Sequence, residues 1–239
     1  LVEGFDSPPT FLLPYNPKYY PRLIESYGFQ KTQDLYAYWA NVDMLPKSNE
    51  KLGPLADQIV ERYDIKIRKL NRSRLYQDVA EFIRIYNDSL ADTWGYDPMS
   101  DAEVRHMAKG LKYMLAPEIT AAAEIDGKLV GAAFALLDYN PRIKAIDGRL
   151  LPFGFLRLLL NRRKIKKARV LAANVLPAYQ LLGVGLVLLQ AMLPAEMSKW
   201  STREVEYSWV SESNYRSRGA LEKGGAKRYK TYRVYDWEP

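Results

Sequence analysis

Nine residues in the last third of the chain, 168–176 (ARVLAANVL), are almost all apolar and run straight into a glycine-bearing turn, PAYQLLGVG. A strand this short and this apolar is buried on both faces, so it belongs at the centre of a sheet covered by helices. The apolar run that follows, 183–199, reads as a helix, with Pro194 expected to kink it or end it early. At such a strand–turn–helix junction the first helical N–H groups lack partners and form an anion site. Gly183 and Gly185 would let a phosphate reach the main chain with no Cβ in the way. Physics alone therefore gives a pyrophosphate cradle after a central strand. The plain alternative is a turn that needs glycine only for packing.

Elements to surround that strand are present upstream and downstream. IKIRKL (65–70) alternates as a half-exposed strand does. Leu75, Val79, Phe82, Ile83, Tyr86 and Leu90 fall at helical spacing. Ser100 and Glu103 form a capping box ahead of a second helix with Val104, Met107, Ala108, Leu111 and Leu115 on one face, and Pro117 is expected to end it. Residues 119–139 read as two strands joined at Asp126-Gly127, a two-residue hairpin signal. After an apolar-then-basic insertion (149–167) and the central strand come a helix, a strand at 204–210, a short helix at 215–223 and a last strand at 229–235. The order is β-α-α-β-β-β-α-β-α-β, a mixed α/β (α+β) architecture. Upstream, 21–27 reads as a short helix, 33–39 as a strand and 52–63 as a connecting helix.

Composition narrows the chemistry. The chain has no cysteine and one histidine, His106. Disulfides, thiolate catalysis, cysteine-based zinc sites and His-rich metal sites are excluded, and no metal is expected. No run of about eighteen apolar residues offers a transmembrane helix. The first residues lack a secretory signal and an initiator Met, so a start inside a longer gene product is expected, and the absence of cysteine fits a cytoplasmic protein. The net charge of +7 attracts polyanions: nucleic acid, an anionic membrane surface or a phosphate-rich cofactor. No nucleic-acid motif is present. The densest basic run, Arg162, Arg163, Lys164, Lys166, Lys167 and Arg169, reads as a solvated loop.

The Q-x-x-G-x-G of Gln180 to Gly185, preceded by Val175-x-Pro177, resembles the acyl-CoA loop of the GNAT (GCN5-related N-acyltransferase) superfamily. EIDGKLVGAAF (124–134), Asn214 after the next strand and ALEKGGAKRYKTYRVY (220–235) are similar to further parts of that family, and the element order agrees over 65–239. The resemblance implies a central, mostly antiparallel sheet flanked by helices, and transfer of an acetyl or longer acyl group from acyl-CoA to a small-molecule or peptide amine. It implies that the backbone of Leu181, Leu182, Gly183, Val184 and Gly185 holds the pyrophosphate. Gln180 would close the loop, and the main chain at Val175 and Leu176 would pair with pantetheine. The Leu176 N–H would polarise the thioester carbonyl. Asn214 would contact the cofactor, cap its helix, or do both. The sequence departs from the family at Leu221, which stands where many members place a proton-donating Tyr. Tyr179 and Tyr215 are the substitutes nearest in sequence, each also readable as a packing aromatic.

For a base, Glu206 in the penultimate strand is the first candidate, acting through water, and Glu124 the second. The alternative for Glu206 is the solvent side of an alternating strand. His106 reads as a surface or half-buried residue. The insertion at 150–169 could form a lid, bind an apolar or anionic acceptor, or touch a membrane surface. Its plain reading is a helix packed on the sheet with a solvated basic end.

Residues 25–38 (ESYGFQKTQDLYAY) echo 222–235 (EKGGAKRYKTYRVY), with Gly28 against Gly225, Lys31 against Arg228 and Tyr38 against Tyr235. The expected organisation is a closing helix and strand of a first GNAT-like unit at 1–41, a linker with a helix at 42–64, and a GNAT-like domain at 65–239. An independent N-terminal arm packed on the sheet is the alternative. A non-catalytic acyl-CoA-binding module and an aminoacyl- or peptidyl-type transferase with tandem units are the rival functions.

Overall fold

In a computed structural model, which describes residues 1–91, 95–192 and 200–237, the apolar run folds as strand β5 (Lys167–Val175). It joins β1 (Gln30–Asn41), β2 (Lys66–Arg68), β3 (Leu115–Ile125), β4 (Lys128–Leu137), β6 (Glu204–Ser211) and β7 (Lys227–Asp236) in one sheet of order β2-β3-β4-β5-β6-β1-β7. Every neighbouring pair is antiparallel except β5 with β6.

Helices cover both faces, because β4 is apolar on both. Ala132, Phe134 and Leu136 pack under α3 (Leu75–Leu90) and α4 (Asp101–Met114). Ala133, Ala135 and Leu137 face a second core shared with Val184, Val187 and Leu188 of α7 (Val184–Met192) and Ala56 of α2 (Leu45–Tyr63). The capping box is formed: Ser100 Oγ accepts from the Glu103 N–H, and the Glu103 carboxylate accepts from the Ser100 N–H at 2.8 Å. At the hairpin, Asp126 and Gly127 take φ of 51° and 71°, the left-handed pair that a two-residue turn requires.

Two expectations need correction. The helix ends at Met114, before Pro117, which instead lies in β3 where the register against β4 is irregular between Leu115 and Thr120. A proline fits a strand at such a break, since no ladder N–H is lost there. The connecting helix α2 begins at Leu45 and carries Pro54 inside it. The expected effect of Pro194 lies outside the described residues.

The internal echo has a geometric counterpart. Helices α1 (Tyr20–Ser26) and α8 (Tyr215–Lys223) are each followed by a glycine with φ of 90°, Gly28 and Gly225. The Gly28 N–H bonds Glu25 O, and the Gly225 N–H bonds Glu222 O, both at 3.0 Å. The strands that follow, β1 and β7, lie side by side and antiparallel. The alignment that sets Gly28 against Gly225 also sets Leu35 against Tyr232, and Leu35 pairs with Tyr232. A local two-fold axis passes through that pair. Strand β1 lies between β6 and β7, so one sheet spans residues of both 1–41 and 65–239.

Candidate active site

The sheet opens at its centre. Strands β5 and β6 pair only from Lys167↔Glu204 to Val170↔Tyr207. Beyond that point β5 stays with β4 as far as Val175, and β6 stays with β1 as far as Ser211. The two halves therefore part, leaving main-chain groups of 171–175 and 208–211 turned toward a wedge. Both strands point their C-terminal ends at its mouth, where α7 and α8 begin, so two helix N-termini bias the mouth toward anions.

The turn from β5 into α7 is built by local bonds. A 3-10 helix covers Pro177–Leu182, the Tyr179 N–H bonds Leu176 O, and Gln180 Nε2 donates to Val175 O at 3.3 Å. Gly183, at φ 82°, then turns the chain into α7. The glycines differ in surroundings. A Cβ on Gly183 would lie 2.5 Å from Ile59 Cδ1 of α2, whereas one on Gly185 would meet nothing nearer than Val175 Cγ2 at 4.0 Å. Gly183 is thus needed for backbone and packing, and Gly185 is the position that keeps space open over the first turn. In that turn the Leu186 and Val187 N–H groups bond Gly183 O at 3.0 and 3.4 Å, and the two N–H groups before them lie at the start of the helix, where no helical carbonyl precedes.

Below the wedge lies a buried polar network. Arg169 of β5, 6% exposed, donates from Nε to Ser208 Oγ (2.8 Å), from Nη2 to Ser208 O (3.1 Å) and from Nη1 to the carbonyls of Phe11 and Leu12. It ties the two strands together just where their ladder ends, and burial lowers its pKa. Glu206 is wholly buried. Its carboxyl accepts from Thr10 Oγ1, Tyr229 OH and Ser208 Oγ, and Lys167 Nζ lies 3.4 Å away. Burial, reinforced by Glu206, pushes the Tyr229 hydroxyl far above the ordinary tyrosine pKa, so it donates rather than ionises.

Lys167 and Tyr229 also line a cleft of about 770 Å³ at the opposite end of β5 and β6 from the turn, together with Pro8, Asp138, Arg142 and Glu204. Burial raises the Asp138 carboxyl above the ordinary carboxylate range, against hydrogen bonds from the Asn140 and Phe11 N–H groups. The network therefore runs along one face of the sheet from the cleft toward the wedge. The N-terminal segment closes one side of it: Lys230, 1% exposed, donates to Ser7 O and Oγ at 2.7 Å, and Asn140 Nδ2 donates to Pro9 O at 2.9 Å.

No protein-family model matches the chain. Among solved structures, the GCN5-related N-acetyltransferase from Sphaerobacter thermophilus superposes with a TM-score of 0.60 at 16% identity, over 92% of this chain and 56% of that one. The chain has the GNAT N-acyltransferase fold. Two curated relatives are nearer in sequence. Over 249 residues it is 35% identical to the bacterial ceramide synthase of Caulobacter vibrioides (strain NA1000 / CB15N), covering 99% of this chain and 62% of that protein. Over 241 residues it is 32% identical to protein YghO of Escherichia coli (strain K12), covering 99% and 61%. The chain thus spans about three fifths of the length of these relatives.

Within the GNAT frame, the residues named from sequence separate. Gln180, Leu181, Leu182, Gly183, Val184 and Gly185 form the turn at the wedge, and Val175 ends the strand beside it. The Leu176 N–H is already donated to Val130 O at 2.9 Å, so it is not free for a thioester carbonyl. Asn214 caps α8, its Oδ1 accepting from the Ser217 N–H at 3.1 Å. Tyr215 is 75% exposed and stacks with the Arg218 guanidinium; no described contact joins it to Glu206. Tyr179 packs on the small core of Ile85, Ala122, Leu129 and Leu176. Leu221 is buried in the main core. Glu124 pairs with Arg68 at 2.7 Å on the far side of the sheet order, and His106 is exposed on α4. Glu206 is not on a solvent face, because β6 is covered on both sides. The basic run is not one solvated loop: Arg163, Lys164 and Lys166 are exposed, but Arg169 is core. Asp138, Tyr229, Thr10 and Ser208 were not signalled by the sequence. Each is an ordinary residue type in a strand or loop, and only long-range register gathers them.

Among the described residues no group of three or more His, Asp or Glu is placed to hold a metal ion, and no helix is long and apolar enough to cross a membrane.

Proposed function

We propose that this chain is the catalytic part of an N-acyltransferase that takes an acyl group from acyl-CoA and delivers it to a long-chain amine. The observation that carries the proposal is the parting of β5 from β6 directly below two helix N-termini, with Gly185 leaving the first turn of α7 open. In this reading the main chain of 181–185 binds the pyrophosphate, and main-chain groups near Val175 pair with pantetheine. Asn214 lies at the mouth as cap and contact. The acyl chain is acetyl or longer.

The amine enters through the 770 Å³ cleft. Its nitrogen attacks the thioester carbonyl, the C–S bond breaks, the nitrogen gives up one proton and the thiolate takes one up. Glu206 is the proposed proton acceptor, reached through Tyr229 or Lys167, which touch it from the cleft side. The relative named as a ceramide synthase supports a lipid acceptor, since a ceramide is a long-chain amino alcohol acylated on nitrogen. The absence of cysteine suits action in the cytoplasm.

A second reading, an acyl-CoA-binding module without turnover, is favoured by Leu221, whose core position offers no proton donor where many GNAT proteins have one. Calorimetric titration with acetyl-CoA and a long-chain acyl-CoA, followed by an assay of thiol release with a long-chain amine, separates the two. Binding lost in Gly185→Glu with thiol release in the parent supports transfer. Binding without thiol release supports the module, and no binding by folded protein ends both.

The local two-fold axis supports a tandem organisation in which 1–41 closes a preceding GNAT-like unit and 42–64 links it to 65–239. At the outer edge of β7, Val2 and Glu3 bond Thr231.

A further inference from the structure

Residues 140–167 contain nine Lys and Arg and a single acid, Asp147, around the apolar stretch LLPFGFLRLLL. The structure makes this stretch an ordered lobe. Two short helices, α5 (Asn140–Ala145) and α6 (Gly154–Leu159), bury none of their own residues. Arg142 clamps them together, its Nη1 donating to the carbonyls of Arg157 and Leu158 at 3.2 and 3.0 Å and its Nη2 to Asn161 O at 2.6 Å. Gly154 permits the tight entry to α6, since a Cβ there would lie 1.9 Å from Arg149 O. The apolar side chains are therefore held outward by design of the backbone. Leu151 is 79% exposed, Phe153 71% and Leu160 60%, and Leu150, Phe155 and Leu159 are exposed beside them.

Scattered exposed leucines need no explanation, but a run of large apolar side chains on one lobe marks a contact surface. Its occupant is indicated by charge. Exposed Arg163, Lys164 and Lys166 follow the apolar residues directly, a pairing that suits lipid phosphates above acyl chains and disfavours a cationic partner. We propose that this lobe seats the protein on an anionic lipid surface, with Leu151, Phe153 and Leu160 entering the headgroup–acyl boundary. Arg142 and Lys164 belong both to the lobe and to the lining of the 770 Å³ cleft, so the seat brings the cleft mouth to the lipid. The surface contact stands apart from the acyl-transfer reading, and its test uses no acyl donor.

The purified chain is sedimented with phosphatidylcholine vesicles, with and without phosphatidylglycerol. The chain should pellet with the anionic vesicles and remain largely in solution with the neutral ones. Arg163→Glu with Lys164→Glu should weaken partition by about tenfold or more, each cation near an anionic surface contributing about a fivefold factor. Leu151→Ser, Phe153→Ser and Leu160→Ser together should abolish it while leaving the thermal melt unchanged. A Phe153→Trp variant gives a second reading, with emission shifting to the blue on binding. Failure to pellet with anionic vesicles overturns the proposal. So does pelleting of the triple serine variant like the parent, or a Phe153→Trp emission that stays unshifted. If ultracentrifugation shows self-association that the triple variant abolishes, the patch is an interface between copies and the proposal also falls.

Discussion

Gly183 holds a backbone conformation that costs an L-residue about 1–2 kcal/mol, and Ile59 occupies the space its Cβ would take. Gly183→Ala is expected to lower the melting temperature by about 5 °C or more, whether or not a ligand binds. Gly185→Ala is expected to leave stability within about 1 kcal/mol, because its Cβ enters open space and alanine favours the helix. It should still weaken acyl-CoA binding about tenfold or more. Paired thermal melts and calorimetric titrations check both, and a Gly185→Ala protein that binds as tightly as the parent would remove the turn from the proposed site. Glu206 is the other residue where stability and chemistry must be separated. Glu206→Gln keeps the shape but leaves Lys167 without its carboxylate among the buried donors Thr10, Tyr229 and Ser208. Loss of one partner of a buried pair costs about 3–5 kcal/mol, with relief here because Lys167 also reaches the cleft. The proposed role of Glu206 as proton acceptor predicts a contribution of about 10²-fold or more to turnover. Thiol release measured well below the variant's melting temperature should fall by that factor with acyl-CoA affinity unchanged. Unchanged turnover there would make Glu206 purely structural.

At the scale of the element, the best-read features are those whose signals are short-range. The capping box at Ser100 and Glu103, the Asp126-Gly127 hairpin and the turn from Gln180 to Gly185 each depend on a few consecutive residues, and the structure contains all three. The extent of the β5–β6 ladder, the packing of Gly183 on Ile59 and the gathering of Thr10, Ser208 and Tyr229 on Glu206 depend on partners far apart in sequence. No local pattern in β6 distinguishes a carboxylate facing water from one facing a network, because both faces of the strand alternate in the same way. The capping box supports its own prediction. Ser100→Ala should cost about 1 kcal/mol and fray α4. The hydrogen bonds from the Ser100 side chain and N–H hold the Glu103 carboxyl below its ordinary value. A lowered folded-state pKa stabilises the helix above the ordinary glutamate range, and that support is lost as pH falls through it. Protection factors of the first-turn amides of α4, corrected for intrinsic exchange at each pH, should therefore fall on acidification in the parent and change little in Ser100→Ala. The same pH response in both proteins would show that the box does not carry it.

For the whole molecule, the decisive contact is β1 between β6 and β7. Along one edge β1 pairs with β6 from Leu35↔Ser211 to Asn41↔Glu204, and along the other with β7 from Gln30↔Asp236 to Trp39↔Lys227. Removing it would leave two inner strand edges with no backbone partners and would strip the wedge of the strand that supports its β6 side. Tyr38, fully buried and bonded through its hydroxyl to Glu222 of α8, would be lost with it, as would the ion pair of Asp34 with Arg233. A chain beginning at Val42 is therefore expected to lack a cooperative thermal transition, although it retains every turn and helix that the GNAT resemblance names. A synthetic peptide of residues 28–41 should restore a transition whose midpoint rises with peptide concentration, as expected when a ligand binds only the folded state. A peptide in which Tyr36 and Tyr38 are both replaced by Ser should fail to do so, because these side chains lie in the main core. If the chain from Val42 melts cooperatively by itself, residues 1–41 are an appendage on a self-sufficient sheet, and the tandem reading of the local two-fold axis loses its structural support.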